Sequence, residues 1–184
     1  KEVYFQAAKN SSIERQIYAV NLKGKMRTLI NKVGTNNARF SSNFKYLINI
    51  NSSVDQPHQY VLFDNKGKQV RVLEDNKEFA ERIKEYNLGK KEFITITDPA
   101  FVLPDGTQLE METWRVLPPD FDSTKQYPVL IYVYGGPGHQ TVNNAWNSDD
   151  YDWMQLLAQN GIISVSINNR GGGARGQEFK KMTY

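Results

Sequence analysis

The chain has 184 residues, 39% of them hydrophobic and 23% charged, the composition of an ordinary globular protein with enough apolar material for one domain or two small ones. Lysine and arginine number 23 against 20 aspartates and glutamates, a formal charge of +3; the basic residues form no stripe, which argues against a nucleic-acid or membrane-binding surface. Cysteine is absent and only His58 and His139, far apart, offer imidazoles, so no disulfide framework, metal site or other cofactor is expected.

No apolar run approaches the roughly 18 to 20 residues of a transmembrane helix, and the N-terminus lacks the charged, apolar and small-residue regions of a signal peptide. "KEVYFQAA" starts without methionine and alternates like a strand, while "EFKKMTY" stops on a helix-like pattern with no Gly or Asn stop signal. Both ends read as cut, and the chain is expected to be a segment of a longer protein.

Residues 1–75 read as short strands: "EVYFQAA", "RQIYAVNL", "KMRTLI", "NARFSSNFKYLINI", "QYVLFD" and "KQVRVLED". Turn formers such as "NLKGK", "SSNFK" and "FDNKGK" separate them, a spacing that suits an all-β array. "VNLKGKMRTL" recurs loosely as "LFDNKGKQVRVL", two Lys-Gly-Lys hairpins of the kind that build β-propeller blades. His58, in "DQPHQY", reads as a loop residue near a proline turn.

The period changes after Asn76. "NKEFAERIKEY" puts Phe79, Ile83 and Tyr86 on one helical face, with Asn76 as cap and "NLG" as the stop, which predicts a linker helix within 76–90. "EFITITD" and "TQLEMETWRVLP" follow as strands, with Asp105-Gly106 as a tight turn. "VLIYVY", unbroken in apolar character, predicts a strand buried on both faces, as in a parallel sheet. In "DDYDWMQLLAQNG", Asp149 and Asp150 mark a helix start, Trp153, Leu156, Leu157 and Asn160 share a face, and Gly161 is the stop. "IISVSINN" is a second buried strand, which completes a βαβ unit.

Two glycine-rich loops follow strands. "RGGGARG" contains Gly171-x-Gly173-x-x-Gly176, formally a dinucleotide fingerprint, but that pattern belongs to a first βα turn with an acidic residue about 20 positions later. A tight surface loop is the better reading, although Arg170 and Arg175 are of a type to attract phosphate. "VYGGPGHQ" has another use: in α/β-hydrolases the loop after the third strand carries part of the oxyanion hole and needs glycine for close backbone approach. Ser164 and Ser166 lie in a strand with no flanking glycine and read as packing residues. His139 reads as a loop residue at a cleft rim.

"KQYPVLIYVYGGPGHQTVNNAW" and "VSINNRGGGARGQEFKKM" together resemble the start of the catalytic domain in the prolyl oligopeptidase family of serine peptidases. Within it, "RVLEDNKEF" and "LPPDFDSTKQYPVLIYVYGGPG" are most similar to the bacterial dipeptidyl peptidase IV subfamily, where the last propeller blade passes into the hydrolase domain. The resemblance covers nearly the whole chain. It implies a fold of β plus α/β class: terminal propeller strands at 1–75, a linker helix at 76–90, and the N-terminal part of an α/β-hydrolase sheet at 91–184.

The resemblance also implies that Tyr134 gives its hydroxyl to the oxyanion from a loop of Gly135, Gly136, Pro137 and Gly138. From position alone, a strand-end packing aromatic is the better reading of Tyr134, as it is of Tyr132. Asn168 stands where related sequences usually have Asp, a departure that leaves the proposed chemistry untouched. The G-x-S-x-G elbow of the family's nucleophile does not occur in the sequence; serine, Asp and His are expected beyond Tyr184, the substrate-amine glutamates upstream, and the chain alone is expected to be inactive. The implied substrates are peptides with proline at the second position, cut to release N-terminal dipeptides by a homodimeric parent in the periplasm or cell envelope. Another peptidase of the same family, an oligopeptidase or acylaminoacyl peptidase, and a non-catalytic β-rich binding module remain as alternatives.

Overall fold

The computed structural model describes residues 1–103, 106–146 and 150–183. Its strands and helices run in the order β1 Glu2–Ala7, β2 Gln16–Asn21, β3 Met26–Ile30, β4 Thr35–Phe40, β5 Tyr46–Ser53, β6 Gln56–Asp64, β7 Gln69–Glu74, α1 Lys77–Ile83, β8 Lys91–Val102, β9 Gln108–Val116, β10 Val129–Tyr132, α2 Tyr151–Gln159, β11 Ile163–Ile167 and α3 Gly176–Lys181. The chain is mostly β with few helices. It divides into two compact units, the first holding Lys1–Glu85 with residues 143–146, the second Tyr86–Val142 with residues 150–183.

In the first unit, β1–β2–β3 and β4–β5–β6–β7 form two sheets, antiparallel throughout. Ile17, Leu29, Ile30, Leu47, Val61 and Phe63 make the core, with Tyr4, Ala38 and Phe40 packed on it. Alternation places them: Leu47 on β5 and Val61 and Phe63 on β6 recur at period two, so one face of each strand is apolar.

The two hairpins read as a loose repeat close with the same turn. Asn21 O accepts from Gly24 N, Asn21 N donates to Lys25 O, and Asn21 Oδ1 accepts from Lys23 N and Lys25 N. Asp64 makes the same four bonds with Gly67, Lys68 and Lys66, and these backbone donors, Lys68 N foremost, hold its carboxyl below the usual carboxylate range. In both turns the glycine carries a positive φ, 80° at Gly24 and 87° at Gly67, the left-handed residue such a bulged hairpin requires.

Gly34 needs glycine for a second reason. At φ 89°, its added Cβ would sit 2.1 Å from the Ser52 carbonyl oxygen, whereas one at Gly24 would meet nothing within 4 Å. Gly24→Ala is therefore expected to cost only the left-handed backbone term, about 1–2 kcal/mol. Gly34→Ala should add overpacking of about 1–3 kcal/mol to it. Equal urea midpoints for the two variants would show that the Ser52 contact has no energetic weight.

Helix α1 differs from its prediction at both ends. Asn76 is left-handed (φ 52°) and makes no side-chain cap bond; its Nδ2 instead donates to His58 O at 2.5 Å. The helix ends at Ile83, so Tyr86 lies outside it and "NLG" is not its stop. His58 belongs to β6 rather than to a loop. Phe79 meets Trp146 edge-on, with ring centroids 6.1 Å apart.

In the second unit one sheet runs β10–β11–β9–β8. β9 is antiparallel to β8 and to β11, while β10 and β11 are parallel and joined through α2. The expected βαβ unit thus forms, but β10 is not buried on both faces: it stops at Tyr132, and Ile131 is 61% exposed. It is the edge strand, and its outer side has no strand partner among the described residues.

Helix α2 also buries a different stripe from the predicted one. Met154, Gln155 and Ala158 face inward, while Trp153 is 54% exposed and Leu156 53%. The reason is polar: Gln155 Oε1 accepts from Gly89 N at 2.7 Å and its Nε2 donates to Gly89 O at 2.8 Å. A buried amide that satisfies both backbone groups of one glycine stands in for an apolar side chain. At the start of α2, Asp150 is left-handed and makes no cap bond; Asp149, like Asp105, lies outside the described residues. Gly161 ends the helix as predicted. It donates to Ala158 O and Ile162 donates to Leu157 O, with φ 74° at the glycine, the two bonds of a Schellman motif.

Candidate functional site

Tyr134 follows β10 by two residues and begins the Gly-Gly-Pro-Gly loop. It is 60% exposed, so it is not held within a buried strand as the sequence suggested; the edge position of β10 leaves it open to solvent. Its ring is located by the loop instead. The Tyr134 and His139 rings lie 4.1 Å apart at 42°, and a Cβ on Gly136 would come within 2.7 Å of the Tyr134 ring. Glycine at 136 thus admits the ring, and positive φ at Gly135 (74°) and Gly138 (75°) turns the backbone.

The far limb of the loop is fastened to the segment after β11. Gly138 N donates to Gly171 O at 2.9 Å, and Gly173 N to His139 O at 3.1 Å. Thr141 N and Val142 N both donate to Asn168 Oδ1, at 3.0 and 2.9 Å, and Asn168 Nδ2 donates to Val142 O at 3.1 Å. Thr141 and Ser166 share a hydroxyl hydrogen bond of 2.8 Å, and Trp114 Nε1 donates to Thr141 O at 3.2 Å.

"RGGGARG" is therefore more than a surface loop. Gly171 and Gly172 are buried, and a Cβ on Gly173 would reach 3.0 Å from Gly138 O, so these glycines permit the two loops to touch. Neither arginine is held ready for a phosphate. Arg170 stacks 4.9 Å from the Phe101 ring centroid and Arg175 4.2 Å from that of Phe179. Arg175 also donates to Glu110 O and pairs with Glu112.

Ser164 and Ser166 are fully buried in β11, in keeping with packing roles. His139 lies against the Tyr134 ring. Among the described residues no group of three or more His, Cys, Asp and Glu side chains could hold a metal ion. Asn168 is notable in the sequence only as a departure from the usual Asp, without a structural role. It is 5% exposed, and nothing in the adjacent residues signals the segment that it holds.

Residues 1–58 match the family model described as the dipeptidyl peptidase IV N-terminal region. Dipeptidyl peptidase 4 of Trichophyton rubrum is 34% identical over 98% of this chain and 23% of its own length. A probable dipeptidyl-aminopeptidase B of Trichophyton verrucosum is 34% identical over 97% of this chain and 19% of its own. The crystal structure of Porphyromonas gingivalis dipeptidyl peptidase 4 superposes on the whole chain with a TM-score of 0.87 and 40% identity. Over nearly its whole length the chain is similar to a segment of dipeptidyl peptidase IV family proteins. It spans 25% of the Porphyromonas gingivalis chain, and 25% of a putative dipeptidyl aminopeptidase IV from Bacteroides ovatus, matched at 32% identity and a TM-score of 0.81. Both superpositions cover the whole of this chain, and so include Tyr134, the glycine loop and Asn168.

Proposed function

We propose that this chain is part of a serine-type dipeptidyl peptidase and that Tyr134 supplies its oxyanion hydroxyl. The observation that carries the reading is the 40% identity over the full chain to a dipeptidyl peptidase 4 structure. Residues 1–75 are read as terminal propeller strands, 76–90 as the passage between domains, and 91–184 as the start of a hydrolase sheet. The antiparallel four-stranded sheet and the β10–α2–β11 crossover support those assignments. A homodimeric assembly and a periplasmic or cell-envelope setting rest on the resemblance alone.

In this reading a serine beyond the chain attacks the peptide carbonyl carbon while a histidine takes the hydroxyl proton. The carbonyl π electrons move onto oxygen, and the Tyr134 hydroxyl donates to that oxyanion. Collapse breaks the C–N bond, the amine leaves with the histidine's proton, and water then hydrolyses the acyl-enzyme to release a dipeptide. Proline at the second position is the expected preference.

The test uses the full-length protein with Gly-Pro and Gly-Ala anilides, an N-blocked Gly-Pro anilide and a fluorophosphonate probe. Hydrolysis of free-amine Gly-Pro anilide, with labelling of one serine outside residues 1–184, is expected. The 184-residue chain should neither turn over nor label, because an oxyanion donor acts only on charge that a nucleophile has created. Stoichiometric labelling of a serine within the chain, or equal rates on the blocked substrate, would overturn the reading.

A further inference from the structure

We infer that Asn168 is a positioning residue for Tyr134, an inference that rests on the oxyanion reading above. The loop is tied at two limbs. Its entry continues directly from β10, whose register against β11 pairs Tyr132 with Ser166. Its exit is held at Thr141 and Val142, where two consecutive amide N–H groups converge on the single Oδ1 of Asn168 while the amide nitrogen of the same side chain takes the Val142 carbonyl.

Both residues that Asn168 grips are buried, Val142 completely and Thr141 nearly so. Water therefore cannot replace the lost acceptor without opening the packing, and buried amide groups left unpaired are costly. The exit limb would have to shift to find other partners. His139, whose ring lies against Tyr134, is two residues upstream of the clamp, so displacement at 141 is transmitted along a short, glycine-flanked piece of chain to the Tyr134 ring. Misplacement of a catalytic donor by about 1 Å can cost a rate factor of about 10².

The groups that need Asn168 most are the two N–H donors, which only an acceptor can satisfy. A carboxylate at 168 retains that acceptor and gives up only the donor to Val142 O. Asn168→Asp is thus the conservative variant and Asn168→Ala the disruptive one. Should the alanine variant fail to fold, Asn168→Ser, whose hydroxyl is one bond shorter than the amide oxygen, carries the same comparison.

The experiment is a double-mutant cycle in the full-length peptidase, with Gly-Pro anilide as substrate. Asn168→Ala is expected to lower kcat by about 10- to 100-fold with KM within about twofold, as for an interaction realised in the transition state. Asn168→Asp should recover most of that loss. In the Tyr134→Phe background the same alanine substitution should cost less than about threefold, because the group it positions is already gone. An equal loss in both backgrounds, or a rise in KM with kcat unchanged, would overturn the inference while leaving Tyr134 as oxyanion donor. Full activity of Tyr134→Phe alone would refute the oxyanion reading itself and the positioning role with it.

Discussion

If Tyr134 is the proposed oxyanion donor, replacing it by Phe in the full-length protein is expected to lower kcat on Gly-Pro anilide by about 10²- to 10³-fold, the usual cost of one such donor, with little change in KM. The two constants separate because of where the bond strengthens. A phenol hydroxyl donates weakly to a neutral peptide carbonyl and strongly to the oxyanion that replaces it, so its contribution appears in the transition state and not in the ground state. The fold should not respond. The contacts that locate Tyr134, the His139 ring and the Gly136 backbone, involve its ring and not its hydroxyl. Steady-state kinetics on Gly-Pro anilide, with circular dichroism to confirm folding, checks this. A variant with wild-type kcat would reduce Tyr134 to a packing residue, and a raised KM at constant kcat would place its hydroxyl in substrate binding.

Trp114→Ala is expected to have the largest effect on stability, about 3–5 kcal/mol for loss of a buried indole. Trp114 is 1% exposed on β9, next to Phe93 on β8 and Ser166 on β11, so its removal opens a void at the middle of the sheet. The Lys91 ammonium lies 4.7 Å from the ring centroid and would lose that face, while Thr141 O would lose the indole N–H. Trp114→Phe retains an aromatic face and much of the volume, and should cost roughly half as much. Urea denaturation of the 184-residue chain, followed by backbone amide signals from β9 and β11, gives the midpoints. A shift for Trp114→Ala no larger than that for Gly24→Ala would show that the site collapses without cost. The same substitution should also loosen the exit limb of the Tyr134 loop, visible as faster amide exchange at Val142.

Features that depend on neighbours in sequence could be read from the sequence. The Asn21 and Asp64 hairpins each need an acceptor side chain at the first position and a glycine three residues on, and the turn closes with bonds that span no more than four residues. The Gly161 stop is equally local, because a left-handed residue after a helix is set by the absence of a Cβ. The parallel pairing of β10 with β11 follows from an apolar run, a helix and a second apolar run, since such a crossover leaves few other ways to bury both strands. Tyr134 is singled out by the resemblance of "VYGGPGHQ" and its flanks to a known family and not by local physics, and its oxyanion role is a proposal.

Only the tertiary structure decided the rest, and the partners show why. Gln155 turns α2 so that Trp153 and Leu156 face outward, but the backbone that it satisfies, Gly89, is 66 residues away. Asn168 grips Thr141 across 27 residues, and nothing in the sequence near either residue announces the bond. Asn76 keeps the N-cap position of α1, but its side chain makes no cap bond and donates instead to a carbonyl 18 residues upstream. Strand β10 is as apolar as the buried strand it was read to be, and it lies at a sheet edge within these 184 residues, which span 25% of the Porphyromonas gingivalis chain; burial is a property of what lies alongside. Local backbone preference and periodicity are carried by adjacent residues; the choice of which buried polar group meets which is made only when distant segments pack, because each must find a partner or lose its hydrogen bond to water.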